Sequence, residues 1–412
     1  MKKQLLLTLA IMLSFSGFVA AQSTHIVDNN ANGIGDFDNI PAAITAASAG
    51  DVILLVPSPT SYGNISLNST NGKQLTIAGG GANGVAGQYS IVDFIQLNGG
   101  SSGSTTLDGM IIGGLRTKGI DVRFVDDIEV KALHVEGDGT QESITSNGAN
   151  ITLINGQVRF DNSNNVTFEY TYLNNLVVSS VTGFAGYHIQ AEEATANIAL
   201  VLEISNTTNW ILSNSILRDN TSGEFISIDE NSTGLINNSI IRINEYAAAA
   251  NSIMTFNQTG LNNNVIMGYS SSNDARYNEN FVGGSYYQSN FYINYLNREG
   301  TVSGDWPVQV YNTPDADGNA SYFGNETIFV DQNNYELAVN SILIDAGVGN
   351  DADGTTADLS IYGGLDPMPA QLPNEAIGIS VVPTVTDLNI SLPSAISGGQ
   401  VIINVQGSSK RN

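Results

Sequence analysis

The segment Trp210-Ile-Leu-Ser-Asn-Ser-Ile216 decides the fold, because closely similar segments follow it at regular steps. The later copies are Gly234-Leu-Ile-Asn-Asn-Ser-Ile240, Gly260-Leu-Asn-Asn-Asn-Val265 and Ser285-Tyr-Tyr-Gln-Ser-Asn-Phe291. When Asn214, Asn238, Asn263 and Ser289 are aligned, the step from each copy to the next is nearly constant. A unit of this size holds three short strands and their turns, but it cannot bury its own apolar face. The repeat therefore predicts stacked coils of a parallel β-helix, an all-β solenoid.

Stacked coils place equivalent side chains in columns about 4.8 Å apart, the distance between neighbouring strands. Two columns are predicted to form the core: Leu212, Ile236, Leu261 and Tyr287, and Ile216, Ile240, Val265 and Phe291. The aligned asparagines are predicted to lie at corners and to hydrogen-bond to one another up the stack. Earlier in the chain, steps of similar length link Asp108, Lys131 and Asn155 and predict further, less regular coils.

The composition favours turn-rich β structure and argues against several kinds of partner. The chain has 412 residues and a formal net charge of -25, although only 13% of its residues are charged. A surface this acidic argues against nucleic acid and anionic membranes as partners. The chain contains no cysteine, so neither disulfides nor thiolate chemistry contribute to its fold or function.

The N-terminus has the pattern of a secretory signal peptide. Lys2 and Lys3 precede an apolar run from Leu5 to Val19, and Val19-Ala20-Ala21 forms a cleavage pattern of small residues. We therefore expect residues 1–21 to be removed and the mature protein to be secreted or held at the cell surface. No later segment is long and apolar enough to cross a bilayer, so no membrane insertion is expected.

Residues 22–64 are predicted to form an N-terminal cap and the first coil. Asp38 or Asn39 can cap a short helix that has Pro41 in its first turn. Such a cap covers the open end of the stack, whose unpaired backbone groups would otherwise invite edge-to-edge aggregation. The prediction continues with a parallel β-helix over residues 65–364, irregular in its last coils, and a C-terminal β tail over residues 365–412.

Short phrases at both ends of the chain resemble those of a known group. The opening phrases are Ile40-Pro-Ala-Ala-Ile44, Ala49-Gly-Asp-Val-Ile53 and Leu75-Thr-Ile-Ala-Gly-Gly80. The closing phrases are Ile344-Asp-Ala-Gly347, Asp351-Ala-Asp-Gly354 and Ile361-Tyr-Gly-Gly364. Together with the repeat, they are similar to secreted bacterial right-handed parallel β-helix proteins of the pectin-lyase-like class. The resemblance implies a right-handed helix with a short N-terminal capping helix, and it is much less specific for activity.

The resemblance implies two kinds of polysaccharide chemistry. Relatives that cleave polyuronates by β-elimination hold calcium with acidic residues and use an Arg or Lys as the base. Here Arg218 and Arg242 each lie four residues after the aligned asparagine, so they are expected to stack and are the candidate bases. The alternative is an exposed arginine ladder balanced by neighbouring acids. Relatives that hydrolyse galacturonan use a Gly-His-Gly motif, which this sequence lacks.

Two loops have clustered oxygen ligands at alternate positions, as calcium loops do. The candidate calcium ligands are Asp315, Asp317 and Asn319 in the first loop and Asp351, Asp353 and Asp358 in the second. In both loops the glycine directly follows the second aspartate, so neither is an EF-hand. The alternative interpretation is a pair of Asx turns.

Aromatic residues supply candidate sugar-binding positions. Tyr286, Tyr292 and Trp306 follow the last copy of the repeat closely or lie within it, and aromatic rings can stack on sugar rings. The alternative is that they fill the core at a tapering end. His188, in a predicted insertion, is interpreted either as lining a groove or as part of a solvated loop.

Three functions remain open from the sequence. The first is a non-catalytic protein that binds extracellular polysaccharide or a cell surface through a long flat face. The second is a calcium-dependent polyuronate lyase that uses Arg218 or Arg242. The third is a structural component of the cell surface.

Overall fold

Three long parallel sheets enclose one hydrophobic core, which confirms the predicted right-handed parallel β-helix. The structure is a computed structural model. The residues that it describes are 22–31, 33, 35–82, 87–101, 103, 105–137, 139–146, 149–192, 200–218, 224–242, 253–256, 259–268, 287–288, 290–294, 308–312, 322–323, 326–327, 329–331, 335–341 and 343–369. The expected signal peptide and most of the expected C-terminal tail lie outside these residues.

Sheet A is the longest sheet in the described part of the chain. Its strands, in spatial order, are Thr24–Val27, Val52–Leu55, Thr76–Gly79, Ile111–Gly113, Glu129–Lys131, Asn164–Glu169, Thr182–Tyr187, Thr208–Ser213, Thr233–Asn237, Thr259–Asn262 and Tyr287–Gln288. Sheet B contains Ile65–Asn68, Phe94–Asn98, Gly119–Arg123, Gln157–Asp161, Asn175–Ser179, Leu202–Ser205, Glu224–Ile228 and Ile253–Phe256.

Sheet C completes the triangular cross-section. Its strands are Ser90–Ile91, Leu115–Thr117, His134–Val135, Tyr172–Leu173, Gln190–Glu192, Ile216–Arg218, Ile240–Arg242, Val265–Gly268, Asn290–Asn294 and Val308–Asn312. Among the described residues, three antiparallel pairs stand apart from the stack: Gln141–Ser146 with Ala149–Ile154, Tyr322–Phe323 with Glu326–Thr327, and Phe329–Asp331 with Glu336–Leu337. In the regular coils the chain passes from sheet B to sheet A, then to sheet C, and back to sheet B.

The predicted capping helix is present as Ile40–Ala46. Asn39 is its N-cap, because its side chain accepts a hydrogen bond from the backbone N–H of Ala42 at 2.9 Å. Ile40 and Ala43 are buried and join the main core. The helix therefore covers the first coil, as the sequence predicts. Within the described residues no helix is long and apolar enough to be a membrane span.

The repeat gives the predicted register on sheet A. Leu212 pairs with Ile236, Ile236 with Leu261, and Leu261 with Tyr287. The first three side chains are fully buried in the main core. The second predicted column also stacks, but Ile216, Ile240 and Val265 face away from the main core, so their assignment to that core was wrong.

A second hydrophobic core lies on the outer side of sheet C. There Ile216, Ile240 and Val265 pack against a segment that returns after the coils, residues 335–368, which we call the closing segment. Its buried contributors include Tyr335, Leu343, Leu359, Ile361 and Met368. The closing segment explains why an outward-facing column of the helix can be aliphatic.

The aligned asparagines form the corners between sheets A and C. Asn214, Asn238 and Asn263 all have a positive φ, of 48°, 47° and 53°, which turns the chain from one sheet to the next. Asn is one of the few residue types that tolerates this left-handed conformation. The amide of Asn214 donates to the carbonyls of Ile361 and Gly363 at 3.0 and 2.8 Å. The predicted bonding from asparagine to asparagine is therefore replaced by bonding to the closing segment.

The hydrogen-bond ladder up the stack lies one residue further along. Ser215 donates its backbone N–H to the Oγ of Ser239 at 3.1 Å, and Ser239 donates its N–H to the Oδ1 of Asn264 at 2.9 Å. All three side chains are fully buried. A second ladder at the corner between sheets B and A joins Thr207 to Ser232 in the same way. These ladders pair backbone groups that the corners would otherwise leave buried without partners.

The earlier coils do not follow the predicted, nearly constant step. Lys131 pairs with Gly113 on one side and with Glu169 on the other, so one step is shorter than predicted and the next is much longer. The longer step contains the antiparallel hairpin formed by Gln141–Ser146 and Ala149–Ile154. The sequence spacing therefore misplaced Asp108 and Asn155. The inserted hairpin accounts for the longer step, because it adds residues without ending the stack.

Candidate functional site

Four charged side chains form a square on the outer face of sheet B, which we call the charged array. It consists of Asp121 and Arg123 on one strand and Arg159 and Asp161 on the next. Asp121 pairs with Arg159 across the strands, and Arg123 pairs with Asp161. Alternate residues of a strand share a face, so all four lie opposite the buried Ile120, Val122, Val158 and Phe160.

The array is held by ion pairs within each strand. Nε of Arg123 lies 2.8 Å from Oδ2 of Asp121, and Nη2 of Arg159 lies 3.4 Å from Oδ2 of Asp161. The side chain of Asp121 is 1% exposed, whereas those of Arg123 and Arg159 are 32% and 37% exposed. The carboxylate of Asp121 thus lies at the buried bottom of the array, and the two guanidinium groups reach the solvent.

Among the residues that the structure describes, two polar atoms of the array have no hydrogen-bond partner. The N–H at Nε of Arg123 donates to Oδ1 of Asp121 at 2.9 Å, so Oδ2 is close to the same nitrogen but receives no hydrogen of its own. Oδ2 of Asp121 and Nε of Arg159 are buried and have no hydrogen-bond partner among the described residues. Burial raises the pKa of Asp121, and the hydrogen bond and charge of Arg123 oppose that shift only in part. Buried charges without full hydrogen bonding are costly, and perturbed carboxyl groups of this kind occur often at functional sites.

The surroundings of the array are polar and partly enclosed. Gln96 pairs with Asp121 on the neighbouring strand, is buried, and accepts a hydrogen bond from the hydroxyl of Ser66 at 3.3 Å. The strand Ala149–Ile154 of the inserted hairpin lies beside Gly119–Arg123. The array therefore lies on an otherwise regular face at the point where the chain adds a projecting element.

Sequence reasoning missed the array. A signal was present: Asp121-Val-Arg123 and Arg159-Phe-Asp161 each place opposite charges on the same face of a strand. What the sequence could not supply was the long step that brings these two segments side by side. The hairpin lies within that step, so the number of residues between the two strands did not indicate that they pair.

Arg218 and Arg242 stack on adjacent strands of sheet C, as the sequence predicts. Arg218 lies 3.3 Å from Oε2 of Glu192, and its guanidinium group lies 5.2 Å from the ring centre of Tyr335. The closing segment thus contacts Arg218 directly. The role of either arginine as a base stays a prediction.

The second predicted calcium loop has its carboxylates already engaged. Oδ2 of Asp351 accepts the N–H of Asp358 at 3.1 Å, and Oδ1 of Asp353 accepts the N–H and hydroxyl of Thr355 at 3.0 and 2.7 Å. Oδ1 of Asp358 accepts the N–H of Asp345 at 2.8 Å. No group of three potential metal-ligating side chains converges among the described residues. Asp353 thus forms an Asx turn with Thr355. The role of Asp351, Asp353 and Asp358 as calcium ligands stays a prediction. Asp315, Asp317 and Asn319 lie outside the described residues.

The aromatic candidates cannot be assigned to the candidate site. Tyr286 and Trp306 lie outside the described residues, as does the side chain of Tyr292, whose backbone pairs with Ile266 and Val310. His188 lies neither in a groove nor in a solvated loop. It is a buried corner residue that donates from Nε2 to the carbonyl of Asp366 at 3.0 Å.

Comparisons with known proteins found a distant structural neighbour. No protein-family model matches the chain, and no curated protein matches it in sequence. Among solved structures, the chain is similar to the crystal structure of pectate lyase Pel9A, with 14% sequence identity and a TM-score of 0.35. The similarity covers 82% of this chain and 96% of that chain. At this level it carries no conclusion about chemistry, so any function has to be argued from the residues themselves.

Proposed function

We propose that this protein is an exported β-helix protein that binds an acidic extracellular polysaccharide at the charged array. The observation that carries the proposal is the pair of partly exposed guanidinium groups of Arg123 and Arg159 on one flat face. Because the net charge of -25 opposes an anionic polymer, the attraction has to come from these local guanidinium groups. Guanidinium groups bind carboxylates with charge-assisted, often bidentate hydrogen bonds. Asp121 and Asp161 hold the two arginines in place, so little side-chain freedom is lost on binding.

The buried carboxyl group makes the proposed binding dependent on pH. Because burial raises the pKa of Asp121, this group takes up a proton at a higher pH than an exposed aspartate does. Protonation removes one negative charge from the array and leaves two arginines facing one ionised aspartate. Binding of an anionic polymer should therefore strengthen as the pH falls through the pKa of Asp121.

The test is calorimetric titration of the mature chain with polygalacturonate. The wild type should bind, and the double variant Arg123→Ala/Arg159→Ala should bind about tenfold more weakly or worse. The matched control is Arg218→Ala/Arg242→Ala, which removes the same charge from sheet C and should retain binding. Asp121→Asn imitates the protonated group and should abolish the strengthening at low pH. Equal affinity in all variants, or no binding by the wild type, would refute the proposal.

A further inference from the structure

The charged array contains one buried acceptor and one buried donor that lie close together without partners. Among the described residues, neither Oδ2 of Asp121 nor Nε of Arg159 takes part in a hydrogen bond. The two residues are direct partners on neighbouring strands, so their side chains leave the sheet side by side on its outer face. Buried polar groups are nearly always hydrogen-bonded, and an unpaired one costs free energy. An unpaired acceptor beside an unpaired donor therefore indicates a place for a further group.

The other hydrogen bonds of the array do not reach these two atoms. Nε of Arg123 donates to Oδ1 of Asp121 at 2.9 Å, and Nη2 of Arg159 donates to Oδ2 of Asp161 at 3.4 Å. Each ion pair therefore joins two residues of the same strand and leaves the contact between the strands unpaired. We call the space between Oδ2 of Asp121 and Nε of Arg159 the array gap.

The strands on either side do not supply the missing partners. Gln96 pairs with Asp121 on one side, and its Oε1 accepts the hydroxyl hydrogen of Ser66 at 3.3 Å. Val177 pairs with Arg159 on the other side, is 7% exposed and has no polar atom in its side chain. Both neighbours are buried, so they enclose the array gap along the stack. A ligand group therefore has to enter from the outer face of the sheet.

Arg159 is the side chain that opens this approach. It is 37% exposed, and its ion pair with Asp161 at 3.4 Å is longer than the pair of Arg123 with Asp121 at 2.8 Å. Charge-assisted hydrogen bonds are strongest at about 2.7–2.9 Å, so Arg159 is the less tightly held of the two arginines. A polymer carboxylate that binds its guanidinium group draws it slightly outward, and both atoms of the array gap then become accessible together.

We propose that the array gap binds a free ring hydroxyl of the polymer, so that the array selects polyuronates with unsubstituted hydroxyls. A hydroxyl fits because it donates one hydrogen, here to Oδ2 of Asp121, and accepts another, here from Nε of Arg159. An ionised carboxylate or sulfate group has no hydrogen to donate to Oδ2 and would bring a second negative charge beside Asp121. The inference rests on the proposed function, because the arginines have to bind the polymer carboxylates.

The test is calorimetric titration of residues 22–412 with three polyanions of matched length. They are polygalacturonate, its O-acetylated form, and polyacrylate, which carries carboxylates and no hydroxyls. The wild type should bind polygalacturonate about tenfold more tightly than either of the other two, which is the effect of roughly one well-formed hydrogen bond. Polyacrylate has the denser charge, so a preference for polygalacturonate cannot come from charge alone.

Two pairs of variants locate the preference in the array gap. Arg159→Lys keeps the positive charge but has no Nε–H, so it should bind all three polymers alike. Its matched control is Arg123→Lys, the same change at the arginine whose Nε already has a partner, and it should keep the preference. Asp121→Ala and Asp161→Ala remove the same charge from the array, and only Asp121→Ala should lose the preference. Arg159→Lys, at a partly exposed position, decides the test should Asp121→Ala fail to fold.

The outcomes separate this inference from the proposed function. Equal affinity of the wild type for the three polymers would overturn the inference, assign the array gap to a bound water, and leave the proposed binding intact. A preference that persists in Arg159→Lys would overturn it as well. No binding of any of the three polymers by the wild type would refute the proposed function and this inference together.

Discussion

Trp210 can fill the core of its coil because its partner on the next strand is Gly234. The two residues are paired across sheet A, and Trp210 is 2% exposed. A Cβ atom added to Gly234 would overlap the indole ring. A large residue thus lies beside a residue without a side chain, as close packing at this point of the core requires.

Gly234→Ala should lower the free energy of unfolding by about 1–3 kcal/mol, because the added methyl group overpacks the core. The measurement is equilibrium denaturation in guanidinium chloride. The control places the same change in a Trp210→Leu background, where the overlap is relieved and the additional cost of Gly234→Ala should shrink. An equal cost in both backgrounds would contradict the packing account.

Asp51 joins the first strand, the end of the capping helix and the second strand. Its carboxylate accepts the backbone N–H groups of Ser23 and Ser48 at 2.9 and 2.7 Å and lies 3.1 Å from Nε2 of His25. The backbone bonds from Ser48 and Ser23, followed by the bond to His25, lower the pKa of Asp51 from 3.8 to about 2. The resulting stabilisation is present above the ordinary pKa and is lost as the pH falls to the lowered one.

Asp51→Asn should therefore lower the melting temperature at pH 7 and flatten its decline between about pH 4 and pH 2. The measurement is a series of thermal melts across that range. Asp38→Asn, at an exposed position of the same cap, serves as the control and should follow the wild type. Parallel curves for Asp51→Asn and wild type would show that Asp51 contributes no pH-dependent stability.

At the scale of the strand and corner, the sequence predicted those features that depend on a nearly constant number of residues per coil. The columns through Leu212 and Ile236 follow directly from the regular spacing of the repeat. The left-handed corner conformation, however, carries the asparagine side chain away from the stack and toward the closing segment. Asn214 and its partner Ile361 are far apart in the chain, so no local sequence pattern could predict their contact.

Ser239→Ala tests the corner ladder that replaces the predicted asparagine ladder. The change leaves the buried N–H of Ser215 without its acceptor, which should cost about 1–3 kcal/mol of unfolding free energy. Ser227→Ala, on the outer face of sheet B, should cost much less. Chemical denaturation of both variants distinguishes them, and similar small losses would mean that the ladder contributes little.

At the scale of the whole molecule, the long, flat faces of a β-helix differ from one another mainly where irregular elements lie against them. The inserted hairpin lies beside the charged array, and the closing segment covers part of the outer face of sheet C. Both elements interrupt the repeat, so the sequence pattern predicted the scaffold and could not predict the places where it is modified.

The closing segment is attached to the stack partly through Asn263. Its Oδ1 accepts the N–H of Val348 at 2.8 Å, and its Nδ2 donates to the carbonyl of Val348 at 2.9 Å. Asn263→Ala should remove both bonds and make residues 343–369 cleave faster under limited proteolysis. Asn237→Ala, on the outer face of sheet A, is the control and should be cleaved at the wild-type rate. Equal rates for Asn263→Ala and wild type would contradict this attachment.

Hydrogen–deuterium exchange of residues 22–412 with and without polygalacturonate tests the central functional claim most directly. The account predicts protection in Gly119–Arg123 and Gln157–Asp161, the two strands that carry the charged array. Protection confined to Ile216–Arg218 and Ile240–Arg242 would instead place the acidic polymer at the stacked arginines of sheet C and contradict the account.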